Sequence, residues 1–297
     1  MAGTSKIIKT RIKSVGNIRK ITKAMELVAA TKMRKAVNSS QASRVYAQHA
    51  RELLGNLGKD RNLRHPLLKK SKGNKELLVV VASNRGLCGG YNVNIVKTAN
   101  EYIKNNKDKK IDLVLVGRKA ETMSRATGIK AVASFVNFSD DLRSEEIIPL
   151  ARLIIEEFTE GKYSKVALAF TDFISGIKYE PKISSLLPIS KDVLGELPQA
   201  KEQEVRQKPK QVILFEPGEE RVLGLVLPRL TEVLIYQALL EASASEHSAR
   251  MLAMKNANDN ARDILEELML YYNQARQAGI TQEIAEISGG AQALSDN

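Results

Sequence analysis

The start of the chain carries one long helical pattern. Residues 4–54 contain no proline and a single glycine, Gly16. About 50 helical residues at 1.5 Å each would extend about 75 Å, far more than an ordinary globular helix. Gly55, Gly58 and Pro66 predict its end. Apolar or small side chains recur at steps of three or four, a helical stripe made of Ile8, Ile12, Val15, Ile18, Thr22, Met25, Ala29, Met33 and Ala36.

A second long helical pattern occupies the end of the chain. It begins at Arg229, after Pro228, and continues toward Ile287, where the run 288–290 (Ser-Gly-Gly) predicts a stop. Small residues dominate positions 238–253, so we expect another helix to approach closely there. The polar run 255–260 predicts a segment that faces something other than that partner helix.

Neither stripe can be buried by its own helix, so the two helices are predicted to pair as an antiparallel coiled coil. Their charges favour the pairing. Residues 1–64 hold 15 basic and 3 acidic side chains, whereas residues 229–287 hold five basic and nine acidic ones. Each exposed ion pair contributes only about 0.2–1 kcal/mol, so apolar packing must dominate.

The middle of the chain alternates short apolar runs with helical patterns, which is typical of a mostly parallel α/β sheet. The predicted fold class is therefore α/β: a long antiparallel coiled coil of the terminal helices plus a Rossmann-like, mostly parallel domain. The predicted regions are an N-terminal coiled-coil helix (1–64), a central domain (75–215) and a C-terminal coiled-coil helix (220–290). The predicted strands are 77–82, 111–116, 130–135, 165–170, 182–188 and 211–215, and the predicted helices between them are 92–104, 118–126 and 144–160, the last capped by Ser144.

Composition narrows the class of protein. The 297 residues contain 46 basic and 34 acidic side chains, and the excess of +12 lies within residues 1–64. No uncharged apolar run approaches the roughly 18 to 20 residues of a membrane span, so none is expected. A single cysteine, Cys88, excludes an internal disulfide and a Cys-rich metal site. The start of the chain, residues 1–6, has neither a signal core nor an import presequence, which favours a bacterial cytoplasm.

One segment has the position of a phosphate-binding loop. The run 83–92 (Ser-Asn-Arg-Gly-Leu-Cys-Gly-Gly-Tyr-Asn) follows a buried strand and precedes a helix. It lacks the spacing of a P-loop and of a dinucleotide fingerprint. A tight turn that needs glycine is the favoured interpretation, and a nucleotide-using enzyme stays an alternative. Cys88 has no histidine nearby in sequence to activate it, so no catalytic site is predicted.

The basic first helix has two possible kinds of acidic partner. Clustered Lys and Arg suit nucleic acid, and a basic helical hairpin that binds nucleic acid is the alternative function. Its basic residues spread around the helix, however, and Tyr46 is its only aromatic for stacking. An acidic protein surface fits the same charge.

Several motifs together resemble the gamma subunit of F-type ATP synthases. They are found in order along nearly the whole chain: 21–30 (Ile-Thr-Lys-Ala-Met-Glu-Leu-Val-Ala-Ala), 85–90 (Arg-Gly-Leu-Cys-Gly-Gly), 245–255 (Ser-Glu-His-Ser-Ala-Arg-Met-Leu-Ala-Met-Lys), 272–277 and 280–284. The resemblance implies a central rotor shaft that couples transmembrane ion flow to ATP synthesis or hydrolysis on partner beta subunits. It implies no catalytic, cofactor or metal residue in this chain.

The same resemblance implies partners and contacts. The partners are the alpha and beta subunits of the catalytic ring, the epsilon subunit and the membrane c-ring, with no nucleic acid. Lys23 and Met25 resemble shaft residues near acidic segments of the beta subunits. Arg250, Gln277, Thr281 and Glu283 resemble upper-shaft residues that contact the ring or join the two helices. With a bacterial type implied, the protein is expected to be peripheral on the cytoplasmic face of the cell membrane. One cysteine does not provide the redox pair of chloroplast-type gamma subunits.

Overall fold

A computed structural model describes residues 2–57, 65–69, 73–139, 141–190 and 218–295. It has two long helices, α1 (Ala2–Leu57) and α5 (Glu219–Ser295). Between them lie β1 (Lys75–Val81), α2 (Tyr91–Asn105), β2 (Lys110–Val116), α3 (Glu121–Thr127), β3 (Ala131–Phe135), α4 (Ile148–Thr159), β4 (Lys165–Phe173) and β5 (Tyr179–Leu187). Short 3-10 turns are Pro66–Leu68, Arg118–Ala120 and Ser144–Ile147.

The described strands form one five-stranded sheet in the order β3-β2-β1-β4-β5. The first four are parallel neighbours, and β5 pairs antiparallel with β4. In β1, alternate side chains point to opposite faces. Leu77 and Val79 join a cluster with α4 and α5, and Leu78 and Val80 join a cluster with α2 and α3. Burial on both faces explains why β1 is a continuous apolar run rather than an alternating one.

The chain divides into two compact units, which are described separately. The first combines Met1–Val28 with Met251–Asn297, and the second is Ala29–Arg250. In the first, Asn258 Nδ2 donates to the Arg19 carbonyl at 3.1 Å. In the second, Gln237 Nε2 donates to Ser40 Oγ at 2.8 Å. Later residues of α1 thus meet earlier residues of α5, as in an antiparallel pair, and the predicted fold class is confirmed.

The start of α5 differs from the prediction. The helix begins at Glu219, before Pro228, which lies inside it. Proline removes a hydrogen bond to the carbonyl four residues earlier and costs about 3 kcal/mol in a helix interior. That carbonyl belongs to Gly224, which is exposed and therefore open to water. Leu223, Leu227 and Leu230 are buried along the same stretch, and their burial offsets the cost.

Three smaller predictions are also wrong. Ser144 does not cap its helix, because its hydroxyl donates to Glu145 and the Glu146 carboxylate accepts the Arg143 backbone N–H instead. The polar run 255–260 does not turn away from the partner helix, since Asn258 is the side chain that contacts α1. The run 288–290 does not stop α5. The predicted strand 211–215 lies outside the described residues.

Candidate functional site

Five of the six predicted contact residues lie in the first unit. On α1, Lys23 Nζ contacts the Glu26 carboxylate at 3.0 Å and stays largely exposed, while Met25 is half-buried. On α5, Gln277, Thr281 and Glu283 are all exposed. The Thr281 hydroxyl donates to the Gln277 carbonyl at 3.0 Å, so it is satisfied within its own helix.

The late part of α5 has no apolar cover in the described structure. Every described side chain from 280 to 291 is exposed, including Ile280, Ile284 and Ile287 at 49%, 62% and 74%. Burying such a side chain is worth roughly 1.5–3 kcal/mol, so a helix face that leaves three isoleucines in water is typical of a binding surface.

Arg250, the sixth predicted residue, belongs to the second unit and points inward. Arg250 is 9% exposed. The guanidinium donates from Nε to the Gly86 carbonyl at 3.3 Å and from Nη2 to the Arg85 carbonyl at 3.4 Å and to Glu246 Oε1 at 2.6 Å. The side chain therefore ties α5 to the turn that leaves β1. Two motifs that the sequence offered separately, 85–90 and 245–255, meet at one site.

His247 lies beside the Arg250 guanidinium, and this contact determines its tautomer. Arg250 Nη1 lies 3.1 Å from His247 Nδ1. A guanidinium has no acceptor atom, so Nδ1 must accept and the imidazole must be neutral with its proton on Nε2. His247 is buried, which also disfavours its charged form. His247 Nδ1 thus serves as a hydrogen-bond acceptor for Arg250.

The turn that Arg250 holds is conformationally demanding. Leu87 has φ +62° and Gly89 has φ +56°, both in the left-handed region. The prediction that the turn needs glycine is confirmed at Gly89. A Cβ on Gly86, by contrast, would meet nothing within 4 Å. Leucine rarely adopts a positive φ, and Leu87 does so while 61% exposed. The carbonyls gripped by Arg250 lie directly before it, so the clamp helps to fix this strained residue.

Cys88 is buried behind the turn, and its thiol is unreactive. Its Sγ accepts from Asn92 Nδ2 at 3.2 Å. Burial is the main cause that raises the pKa of the thiol above its usual value, more than the Ser83 hydrogen bond and the Arg250 charge lower it. A protonated thiol is a poor nucleophile.

Two backbone donors that flank the turn are not available to a phosphate. The Ser83 N–H donates to Asn92 Oδ1 at 3.0 Å, and the Tyr91 N–H donates to the Cys88 carbonyl at 3.2 Å. These donors are already used within the chain. In open α/β sheets a ligand normally enters at the carboxyl ends of the strands where the strand order reverses, here between β1 and β4.

In this protein α5 fills that place. The Tyr91 hydroxyl donates to the Ala242 carbonyl at 3.2 Å, the Ser245 hydroxyl to the Thr171 carbonyl at 3.1 Å and the Ser248 hydroxyl to the Gly176 carbonyl at 2.8 Å. Ala249 packs with Tyr91 and Cys88. The small residues of α5 were predicted to admit another helix, and the contacts above show that they also admit the end of the sheet. Within the described residues, no group of three or more His, Cys, Asp or Glu side chains could hold a metal.

Sequence reasoning missed a second buried polar group in the same unit. Gln237 and Glu241 of α5 are both buried, and Gln237 Nε2 donates to Glu241 Oε1 at 2.8 Å. Across from them, Lys182 Nζ of β5 lies 2.9 Å from Asp172 Oδ2 of β4. The available signal was a lone carboxylate inside the apolar and small run 238–245.

One 18-residue window within Arg221–Ala291 has a mean hydropathy of 1.5, so by length and composition it could cross a membrane. Within the protein, 44% of that window is buried. Core helices of globular proteins pass the same test. The contacts of residues 238–250 with the sheet explain the apolar composition without a bilayer.

Comparisons with known sequences give one consistent result. A family model described as ATP synthase matches residues 4–294. The ATP synthase gamma chain of Cupriavidus necator is 38% identical over 297 residues, covering 99% of this chain and 100% of that protein. The gamma chain of Stenotrophomonas maltophilia is 40% identical over 291 residues, covering 97% and 98%.

Solved structures agree. A chain in the Tetrahymena thermophila mitochondrial ATP synthase, central stalk and c-ring, matches with a TM-score of 0.60 and 27% identity over 80% of this chain and 99% of that chain. A Euglena gracilis mitochondrial ATP synthase chain matches with a TM-score of 0.67 over 99% and 95%, and its 19% identity supports the fold alone. Nothing in these comparisons supports the nucleic-acid alternative.

Proposed function

Because this chain belongs to the ATP synthase gamma chain family, we propose that it is the central rotor shaft of an F-type ATP synthase and has no catalytic site of its own. The observation that carries the proposal is the use of α1 and α5. Within the first unit they run antiparallel, since Ile8 lines a groove with Tyr271 whereas Arg19 contacts Asn258, and α5 then presents an exposed apolar face over 280–291. A shaft gripped by other subunits needs such a face.

The proposed partners are the alpha and beta subunits of the catalytic ring, the epsilon subunit and the membrane c-ring. The matching Tetrahymena chain comes from a structure of the central stalk and c-ring, which supports the last of these. The shaft would couple transmembrane ion flow to ATP synthesis or hydrolysis on beta. Bacterial relatives support a peripheral position on the cytoplasmic face of the cell membrane.

The proposed contacts follow the exposure of each side chain. Lys23 is exposed and positively charged, so it suits an acidic segment of beta, with Met25 beside it. Gln277, Thr281 and Glu283 are exposed on α5 and suit the inner surface of the ring. Arg250 would act indirectly, by presenting Leu87 and the turn around it. Coupling requires that the shaft bind different ring states with different free energy.

We also propose that 1–64, 75–215 and 220–290 are functional regions. The two helical regions would carry torque, and the central region would fix the shaft to epsilon and the c-ring. The Arg250 clamp and the α5 contacts with Thr171 and Gly176 support a firm attachment of sheet to shaft.

Purification through an affinity tag on this chain tests the proposal. We expect a membrane-derived complex that hydrolyses ATP and contains alpha and beta subunits in excess over this chain. A bead attached to the central domain should rotate when ATP is added. A chain that purifies alone, or with nucleic acid released by salt, would contradict the proposal.

A further inference from the structure

Lys23, the exposed cation proposed to meet the catalytic ring, is already paired within the chain. Its Nζ donates to both carboxylate oxygens of Glu26, each at 3.0 Å. The two residues lie three positions apart on α1, within the first unit. The Lys23 side chain is 55% exposed and the Glu26 side chain is 16% exposed. The ammonium is therefore accessible to a partner, whereas the carboxylate that holds it is largely covered.

Glu26 is unusual in the charge pattern of α1. Residues 1–51 contain 12 lysines and arginines, and Glu26 is their only acidic residue. Side chains three or four positions apart on a helix are neighbours. At those distances from Glu26 the sequence has Thr22, Lys23, Ala29 and Ala30. The one carboxylate of this stretch therefore acts along the helix on Lys23.

An acidic partner of Lys23 has to compete with Glu26. An ammonium has three N–H donors, and both Glu26 oxygens already lie within hydrogen-bond distance of it. A second carboxylate must share these donors or displace Glu26, and the charge of Glu26 repels it. Surface ion pairs are weak, so Glu26 can be displaced. The contact that a partner makes with Lys23 is therefore weaker than the contact of an unpaired lysine.

We propose that Glu26 is a positioning residue, which keeps the contact between Lys23 and an acidic segment of beta weak enough to be broken at each rotational step. The proposal rests on the proposed rotor function and gives a role to a residue that this function leaves unused. A shaft couples only if it binds different ring states with different free energies. A lysine that bound every beta subunit tightly would hold the shaft in one position.

Competitive acetylation of the full free chain tests the pairing. Lys20, an exposed lysine of the same helix, is the internal reference. We expect Glu26→Gln to raise the acetylation of Lys23 relative to Lys20 about twofold, because a helical ion pair of this spacing is weakly stabilising. Glu266→Gln is the matched control, since Glu266 is an exposed glutamate of the same unit, and it should leave the ratio unchanged. Equal ratios in the wild type and Glu26→Gln would overturn the proposal.

The assembled enzyme tests the role of the pair. At low ionic strength, Glu26→Gln should lower the protons pumped per ATP hydrolysed about twofold, because the freed Lys23 holds the ring too tightly. Added salt should restore the ratio, since the extra attraction is electrostatic. The double variant Lys23→Gln/Glu26→Gln should also restore it, because the lysine that binds too tightly is gone. A merely structural role of Glu26 would give neither form of rescue.

Two outcomes separate this proposal from the rotor function. If the wild-type chain fails to assemble with alpha and beta subunits, the rotor function is refuted, and this proposal with it. If the wild type assembles and pumps, but Glu26→Gln pumps equally well or its defect persists in the double variant, only the role of Glu26 is overturned.

Discussion

The last helix, α5, is used in opposite ways at two places along its length. No side chain from 238 to 250 is exposed, and small residues there fit the end of the sheet closely. Every described side chain from 280 to 291 is exposed, although isoleucine recurs among them. The stretch 238–250 buries its side chains within the chain, whereas the stretch 280–291 needs a partner to bury its isoleucines. Substitutions are therefore expected to affect folding in the first stretch and assembly with other subunits in the second.

The largest effect is expected where the sheet itself is tightest. Gly117 has φ +87°, and a Cβ there would lie 2.1 Å from the Ala82 carbonyl oxygen. Gly117→Ala should cost more than about 4 kcal/mol or prevent folding, because the backbone that directly follows β1 cannot move aside. Gly128→Ala is the control, since Gly128 also has a positive φ but open space around it. It should cost only about 1–2 kcal/mol. Equal losses in urea denaturation would contradict the assigned close approach.

Arg250→Ala comes next, because it removes the guanidinium that donates to Glu246 and to two carbonyl groups of the turn. We expect the free energy of unfolding of residues 29–250 to fall by about 3 kcal/mol. Hydrogen exchange measures this loss. Arg262→Ala is the control, because Arg262 is a half-exposed arginine of the same helix with only surface ion pairs. It should change stability by less than about 1 kcal/mol. If Arg250→Ala were as mild, the guanidinium would not be a structural clamp.

A matched pair of substitutions tests the two stretches of α5 directly. Ala249 is 2% exposed against Tyr91 and Cys88, so Ala249→Leu should overpack the site and cost about 2 kcal/mol. Ala285 is exposed. Ala285→Leu should leave the stability of the free chain within about 0.5 kcal/mol, and calorimetry of both variants measures the difference. Similar thermal midpoints would remove the contrast between the two stretches.

How much of the fold and of the site can be predicted depends on how far apart in the sequence the contacting residues lie. The stripes of α1 and α5 follow a local period, and the buried strands follow a local run of apolar residues, so the sequence predicts them well. Pro228 does not start the helix, because burial of the leucines around it outweighs the cost of the proline. The run 288–290 does not end the helix, because glycine is tolerated in this exposed part of it. Asn258 misled because polarity was equated with solvent, although its amide donates to the Arg19 carbonyl.

The site was harder to predict because its parts are distant in sequence. Arg250 and Gly86 are 164 residues apart, and Gln237 and Ser40 are 197 apart. No local pattern states that such residues meet. The family resemblance placed Arg250 among residues that contact the ring or join the two helices, and only the structure shows that its guanidinium binds the carbonyls of Arg85 and Gly86. The other five contact residues remain a prediction.

The smallest effect on stability is expected at Met25, a half-buried residue of α1 where a lysine stem can replace the side chain and leave its ammonium in water. Met25→Lys should change the stability of the free chain by less than about 0.5 kcal/mol. In the assembled enzyme it should reduce coupling of ion transport to ATP hydrolysis, because an added charge strengthens a contact that has to break. Asn17→Lys adds the same charge two turns earlier at an exposed site and should leave coupling intact. Proton pumping per ATP hydrolysed measures both. Equal coupling in the two variants would contradict the assigned contact.

A cryo-electron microscopy map of the complex purified through this chain tests the central claim most directly. The account predicts this chain at the centre of a ring of alternating alpha and beta subunits, with α1 and α5 antiparallel and residues 280–291 enclosed by the ring. A map in which this chain lies outside such a ring, or in which residues 280–291 face solvent, would contradict it.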